Sequence, residues 1–182
     1  IRDRLNPLDD PEELVRASLN VFRWKTASYT TIAPLKFGML AAGLDASAAR
    51  DLAMSIGLPL GLAFQLADDL LDVIGSSLNT GKPVGGDIRE GKRTVLLADA
   101  LSGADEPERA ELIGMWEAPS RCEEQVRRAI TLFASTGAIE RSHGRIRNLW
   151  NASKSIIDAL DVPDDRKELL IRACARFVPT VV

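Results

Sequence analysis

Apolar residues recur at helical spacing along nearly the whole chain, and runs in which β-branched residues alternate with polar ones are nearly absent. Asp9-Asp10-Pro11-Glu12-Glu13 reads as a helix start, with Asp10 as N-cap, Pro11 at the first helical position and acids in the first turn. The pattern predicts a long helix over about 11–42, kinked or split at Pro34, and a short helix over about 46–56. Gly57, Pro59 and Gly61 then interrupt it, and a third helix runs clearly to about Ile74. Residues 75–94 lose the period. Gly75, Gly81, Gly85, Gly86 and Gly91 fall there among Lys82, Arg89, Lys92 and Arg93, which predicts a long polar loop of the kind that is usually functional. Further helices are predicted over about 94–104, 106–116, 121–135, 139–160 and 165–177, the last capped by Asp164. The expected fold is an all-α bundle in one domain, with no linker dividing it.

Composition narrows the function classes. With 182 residues, 46% hydrophobic and 27% charged, the chain is neither a disordered tail nor a fibrous repeat. A net charge of −3 gives no basic field to draw it onto nucleic acid, and Arg141, Arg145 and Arg147 read as a solvated helix face. Cys122 and Cys174 lack metal-type spacing and form no disulfide framework, which makes a reducing cytoplasm the expected compartment and partly buried thiols their expected state. Trp24, Trp116 and Trp150 read as packing residues, and the lone His143 needs no catalytic role. No run approaches 18 uninterrupted apolar residues, so no transmembrane segment is expected. The chain opens on Ile1 without a Met, as expected of a processed or cut piece.

The most informative segment is Gly61-Leu-Ala-Phe-Gln65-Leu-Ala-Asp68-Asp69-Leu-Leu-Asp72. Gln65, Asp68, Asp69 and Asp72 stand at i, i+3, i+4 and i+7 and share one narrow sector of a helix that is otherwise apolar. A solvent-facing stripe is the plain account, but such stripes mix Lys, Glu and Gln, which favour helix and pair at i, i+4. Here three of the four are Asp, and no base accompanies them. Two carboxylates about 5–6 Å apart repel by ~0.7 kcal/mol in water and by ~3 kcal/mol at an effective dielectric near 20. A cation must therefore offset them at the rim of a cavity. Mg²⁺ takes one or two carboxylates together with waters and substrate phosphates, so the stripe points to a Mg²⁺-bridged phosphate site.

Such a site needs more positive charge. Gly81-Lys82-Pro-Val-Gly-Gly86-Asp87 and Glu90-Gly91-Lys92-Arg93-Thr94 supply lysines framed by glycines, whose backbone N–H groups can approach phosphate oxygens. A solvated charged turn is the alternative reading. Lys25 shares a helical face with Ser18, Phe22, Tyr29 and Ile32, where it either snorkels or serves the site, and Thr26 adds a hydroxyl.

Together Lys25-Thr26-Ala27, Phe64-Gln65-x-x-Asp68-Asp69-x-x-Asp72, Gly81-Lys82-x-x-Gly85-x-Asp87 and Gly91-Lys92-x-Thr94 resemble the trans-type polyprenyl diphosphate synthases, which include the farnesyl and geranylgeranyl diphosphate synthases. The resemblance is good over about residues 11–101. It implies an all-α isoprenoid-synthase fold that elongates an allylic diphosphate with isopentenyl diphosphate and releases diphosphate. By the same resemblance Asp68 binds Mg²⁺ directly, Asp69 and Asp72 support it or its waters, and Lys25, Lys82 and Lys92 hold the allylic diphosphate. Thr26 and Gln65, with the Lys25 carbonyl, would face the carbocation, making Lys25, Thr26 and Gln65 the expected catalytic residues. The family is usually homodimeric.

One departure is equally informative. The family places a first aspartate-rich motif, and the bases that bind isopentenyl diphosphate, upstream of the Lys-Thr helix, and this sequence has neither. Residues 1–182 are therefore expected to be the C-terminal portion of a single such domain, lacking its N-terminal helices and inactive alone. Two alternatives remain: a regulatory or interaction subunit on the same fold, and a terpene cyclase. Product length lies beyond what these residues specify.

Overall fold

The computed structural model describes residue 8, residues 10–75 and residues 84–179, and among them the regular structure is helical, with no strand. Helix α1 spans Pro11–Phe22, and the Asp10 carboxylate accepts the Glu13 N–H at 3.0 Å, as an N-cap should. The single helix expected over 11–42 instead changes register. A ten-residue π-helical segment, Arg23–Ile32, follows α1, and α2 (Ala33–Ala41) resumes with Pro34 in its first turn. The Ala33 N–H bonds to the Ser28 carbonyl, five residues back. Pro34 follows directly on that change of register and has no N–H to give to the preceding turn.

The wider turn changes which side chains face inward. Thr26, Ala27 and Thr31 are buried, whereas Lys25 and Tyr29, expected on one face with Ser18, are exposed. Trp24 is not a packing residue: it stands 66% exposed, with the Arg23 guanidinium 5.2 Å from its ring centre. Trp116 and Trp150 are buried as expected.

Helix α3 corrects the sequence reading more strongly. Ala46–Ile74 is one 29-residue helix that runs through Gly57, Pro59 and Gly61. A mid-helix Pro costs ~3 kcal/mol or more, because it lacks a donor and its ring displaces the carbonyl four residues back. Neighbouring groups support the helix at that point. The Thr31 hydroxyl donates to the Gly57 carbonyl at 2.6 Å, and the Ser153 hydroxyl donates to the Ile56 carbonyl at 2.9 Å. The glycines are contact positions. A Cβ on Gly61 would lie 2.5 Å from Ala27 Cα, and one on Gly57 would lie 3.0 Å from the Ile32 backbone. An 18-residue stretch of α3 is also long and apolar enough to cross a membrane by length and composition, although it lacks the uninterrupted run sought in the sequence; half of it is buried inside the protein.

The helices collect into two compact units. The first joins residues up to Ser18 with Asp68–Ser142. It holds α4 (Gly86–Glu90), α5 (Val95–Gly103), α6 (Glu106–Glu117) and α7 (Glu123–Ser135). Every residue of α5 from Val95 to Leu101 is buried, and α5 packs on α6 and α7, with α7 also against α4. Arg121, expected inside the helix at 121–135, precedes it. Its buried guanidinium instead donates to the Met115 and Ala118 carbonyls at 2.9 and 2.8 Å.

The second unit joins Leu19–Ala67 with His143–Val182, and so contains most of α8 (Ala138–Asp158) and all of α9 (Asp164–Ala175). Pro163, not Asp164, occupies the cap position of α9. Its core includes Ala27, Ile56, Leu60, Ile146, Trp150 and Ile157. An apolar cavity of about 360 Å³ lies among Leu35, Met39, Leu60, Leu170, Cys174 and Phe177. Cys174 is buried, whereas Cys122, expected to be partly buried, is exposed.

Candidate functional site

The acidic stripe lies in the last third of α3. Its three carboxylates differ in surroundings: Asp68 is exposed, Asp69 is buried at 7% exposure, and Asp72 is half-buried. Neighbours along a helix point about 100° apart, and on this largely packed helix that turn carries Asp69 into the buried side while Asp68 stays outside it. The leucines on either side, Leu66 and Leu70, are buried.

Asp72 is engaged by the segment that follows. Its Oδ1 accepts the Gly86 N–H at 3.1 Å, its Oδ2 accepts the Asp87 N–H at 2.9 Å, and its carbonyl accepts the Gly85 N–H at 2.7 Å. Burial pushes the Asp72 carboxyl above the usual range, opposed by the Asp87 N–H. Two glycines make this approach possible. Gly85 has φ 77°, and a Cβ there would stand 2.3 Å from Val126 Cγ1, so a side chain fails on both conformation and space.

The polar loop expected over 75–94 includes a short helix, α4, among its described residues, and its backbone is fastened at several points. Trp116 Nε1 donates to the Lys92 carbonyl at 3.0 Å, and the Ser18 hydroxyl donates to the Arg93 carbonyl at 3.2 Å. Arg121 Nε donates to the Arg89 carbonyl at 3.4 Å. Lys92 therefore has a fixed backbone and an exposed side chain. Its ammonium pairs with the Asp87 carboxylate and lies 3.4 Å from Glu90, and the Asp87 contact holds it above the usual range. Lys82, the other loop lysine expected at the site, lies outside the described residues.

In the second unit the structure brings Thr26 and Gln65 together. The buried Thr26 hydroxyl donates to Gln65 Oε1 at 2.8 Å, linking the π segment to α3. The close approach at Gly61, one helical turn earlier, is what allows the link. Lys25, the residue before Thr26, is exposed.

Sequence reasoning assigned no site role to Asp87, which it placed only within a motif, to Trp116, which it read as packing, or to Arg121. The signal for Asp87 was present, an acid after two glycines and five residues before a lysine. Nothing in the spacing of Trp116 or Arg121 announces that each reaches back to a carbonyl of the 89–92 stretch.

The donors suit a hard cation in one way and exclude a cage in another. Among the described residues no three His, Cys, Asp or Glu side chains group closely enough to hold a metal ion. The stripe offers only carboxylate oxygens, one of its acids is exposed and another is already bonded to two amides. That fits Mg²⁺, which keeps several waters and takes phosphate oxygens with one or two carboxylates, and does not fit an all-protein structural site.

Known proteins with the same organisation narrow the identity. A geranylfarnesyl diphosphate synthase of Aeropyrum pernix is 34% identical over 153 residues, which are 84% of this chain and 46% of the relative. A geranylgeranyl pyrophosphate synthase of Corynebacterium glutamicum, solved with isoprenyl diphosphate and magnesium, superimposes with TM-score 0.79 at 34% identity, over 94% of this chain and 51% of that one. A polyprenyl synthase of Caulobacter crescentus, solved with calcium and isoprenyl diphosphate, gives the same TM-score at 28% identity, over 94% and 55%. The chain thus spans about half the length of the relatives it matches. The polyprenyl synthetase family model matches residues 8–133, past the 11–101 stretch where motifs carry the likeness and into α7. With the Asp68 motif, the Thr26–Gln65 link and the Gly-Lys segments all inside that match, the chain belongs to the polyprenyl synthetase family.

Proposed function

We propose that this chain carries the diphosphate-holding part of a prenyl chain-elongation site, one that condenses an allylic diphosphate with isopentenyl diphosphate and releases diphosphate. The observation that carries the reading is a linked set in one compact unit: the acid stripe ends at Asp72, Asp72 holds the Asp87 amide, and the Asp87 carboxylate holds Lys92. Acids that suit Mg²⁺ and a lysine that suits phosphate are thus joined by the protein's own bonds.

Asp68, exposed on the stripe, is the residue assigned to Mg²⁺, with Asp69 and Asp72 in support. When bound, the ion would neutralise charge developing on the leaving diphosphate. Lys92, Lys25 and Lys82 are assigned to the phosphate oxygens. For Lys92 this means leaving Asp87 and Glu90. Lys92 is exposed, so its ion pairs are worth little, and a diphosphate carrying more negative charge than a carboxylate competes for the ammonium. Thr26 and Gln65 are assigned to the allylic carbon that becomes cationic. With its proton given to Gln65, the Thr26 hydroxyl presents oxygen lone pairs to what lies beside it. Such a cation also requires surroundings that exclude water, which would quench it.

Elongation also needs a further aspartate-rich motif and a site for isopentenyl diphosphate, neither of which is evident in the sequence. The chain's span of about half of its relatives supports assigning both to the length it does not cover. A homodimer and a cytoplasmic location belong to this reading as well. The test is incorporation of radiolabelled isopentenyl diphosphate into an allylic diphosphate. Residues 1–182 alone are expected to stay at the blank while binding Mg²⁺–diphosphate weakly. Incorporation above the blank would overturn the half-site reading, and failure to bind diphosphate at all would overturn the phosphate assignment.

A further inference from the structure

We infer that Asp72 is a positioning residue: it sets Lys92 for the diphosphate by holding the backbone of Asp87, and does not ligate the metal. The inference rests on the function proposed above for its purpose, and on geometry for its substance. The helical phase puts Asp72 on the acidic stripe, but both of its oxygens accept backbone amides, from Gly86 at 3.1 Å and from Asp87 at 2.9 Å.

The segment is shaped for that grip. Gly85 takes the left-handed conformation that turns the next two amides toward α3, and a Cβ on Gly86 would lie only 3.2 Å from Asp72 Oδ1. The grip is then passed on. The Lys92 N–H donates to the Asp87 carbonyl at 2.9 Å, and the Asp87 carboxylate pairs with the Lys92 ammonium. Asp87 is thus held by Asp72 at its amide and fixes the Lys92 backbone through its carbonyl, while its carboxylate keeps the ammonium only until diphosphate takes it. Loss of the Asp72 carboxylate frees two amides on a helix of only five residues, which has little else to hold its first turn.

The test compares Asp72→Ala with Asp72→Asn. Both remove the charge, and only Asn keeps an oxygen that can accept one amide. Hydrogen exchange in the full chain is expected to rise about tenfold or more at Gly86 and Asp87 in D72A, with D72N between it and the parent. Titration with inorganic diphosphate in chelator, without metal, is expected to find D72A at least threefold weaker than D72N, a difference that a metal ligand would not produce. The inference is overturned if both variants exchange as the parent does and lose only Mg²⁺-dependent binding, or if the two variants bind metal-free diphosphate equally. Should the parent chain bind no diphosphate, the proposed function fails, and the exchange rates alone decide whether Asp72 holds the segment.

Discussion

Cys174 and Cys122 show how far surroundings divide two residues of one type. Burial pushes the Cys174 thiol up to about 11, from an ordinary value of 9.0. Thiolate is the reactive form, so at pH 8 Cys174 should resist iodoacetamide while the exposed Cys122 is alkylated. Mass spectrometry of the native chain should find a single modification, at Cys122, and Cys174 should label only on unfolding or as pH climbs toward its raised value. Trp116 gives a second prediction. Its ring packs in the core, with the Phe133 ring centre 6.0 Å away, while its Nε1 fixes the Lys92 carbonyl. Trp116→Phe keeps most of the apolar contact and leaves that carbonyl without this donor, so chemical denaturation should register a loss of about 1–3 kcal/mol. The packing of Trp116 was legible in sequence, and its hydrogen bond was not. Periodicity marks a residue as inward-facing, but it does not say that an indole nitrogen meets a carbonyl 24 positions away.

At the scale of elements, glycines decide the sign of otherwise identical substitutions. A mid-helix Gly→Ala ordinarily stabilises by about 0.8–1 kcal/mol. Gly114 in α6 has nothing within 4 Å of a built Cβ, so Gly114→Ala should gain about that amount. Gly61→Ala should instead destabilise by about 1–3 kcal/mol, because the methyl would meet Ala27 at 2.5 Å and packed backbone yields poorly. Urea midpoints of the two variants should move in opposite directions, and equal shifts would refute the close contact of α3 with the π segment. The same contact explains what the sequence concealed. Gly57, Pro59 and Gly61 look like helix breakers when only local propensity is weighed, yet hydroxyls from Thr31 and Ser153 and an abutting backbone keep α3 continuous. Helix starts were legible where the signal is local, as at Asp10 and at Thr94, whose hydroxyl accepts the Leu97 N–H at 3.4 Å. The π register was not, since no residue type encodes a bond from Ala33 to Ser28.

For the whole molecule, the all-α class and the family follow from helical periodicity and four short motifs; the helices of the described residues bear out the class, and the family match over residues 8–133 bears out the family. The candidate site was legible as a set of residue types. What the motifs could not convey is the surroundings of each acid: spacing puts the three aspartates in one sector of the helix, whereas the structure leaves Asp68 exposed, buries Asp69 and bonds Asp72 to the next segment. That difference rests on tertiary contacts made after Gly85 turns the chain back. The proposed grip of the α3 stripe on magnesium diphosphate is decided by calorimetric titration of the chain with inorganic diphosphate, with and without Mg²⁺. The parent should bind more tightly when Mg²⁺ is present, Asp68→Asn should lose that gain, and Lys92→Ala should weaken binding about tenfold under both conditions. Equal affinity with and without Mg²⁺ in the parent, or an undiminished Mg²⁺ effect in Asp68→Asn, would contradict the claim.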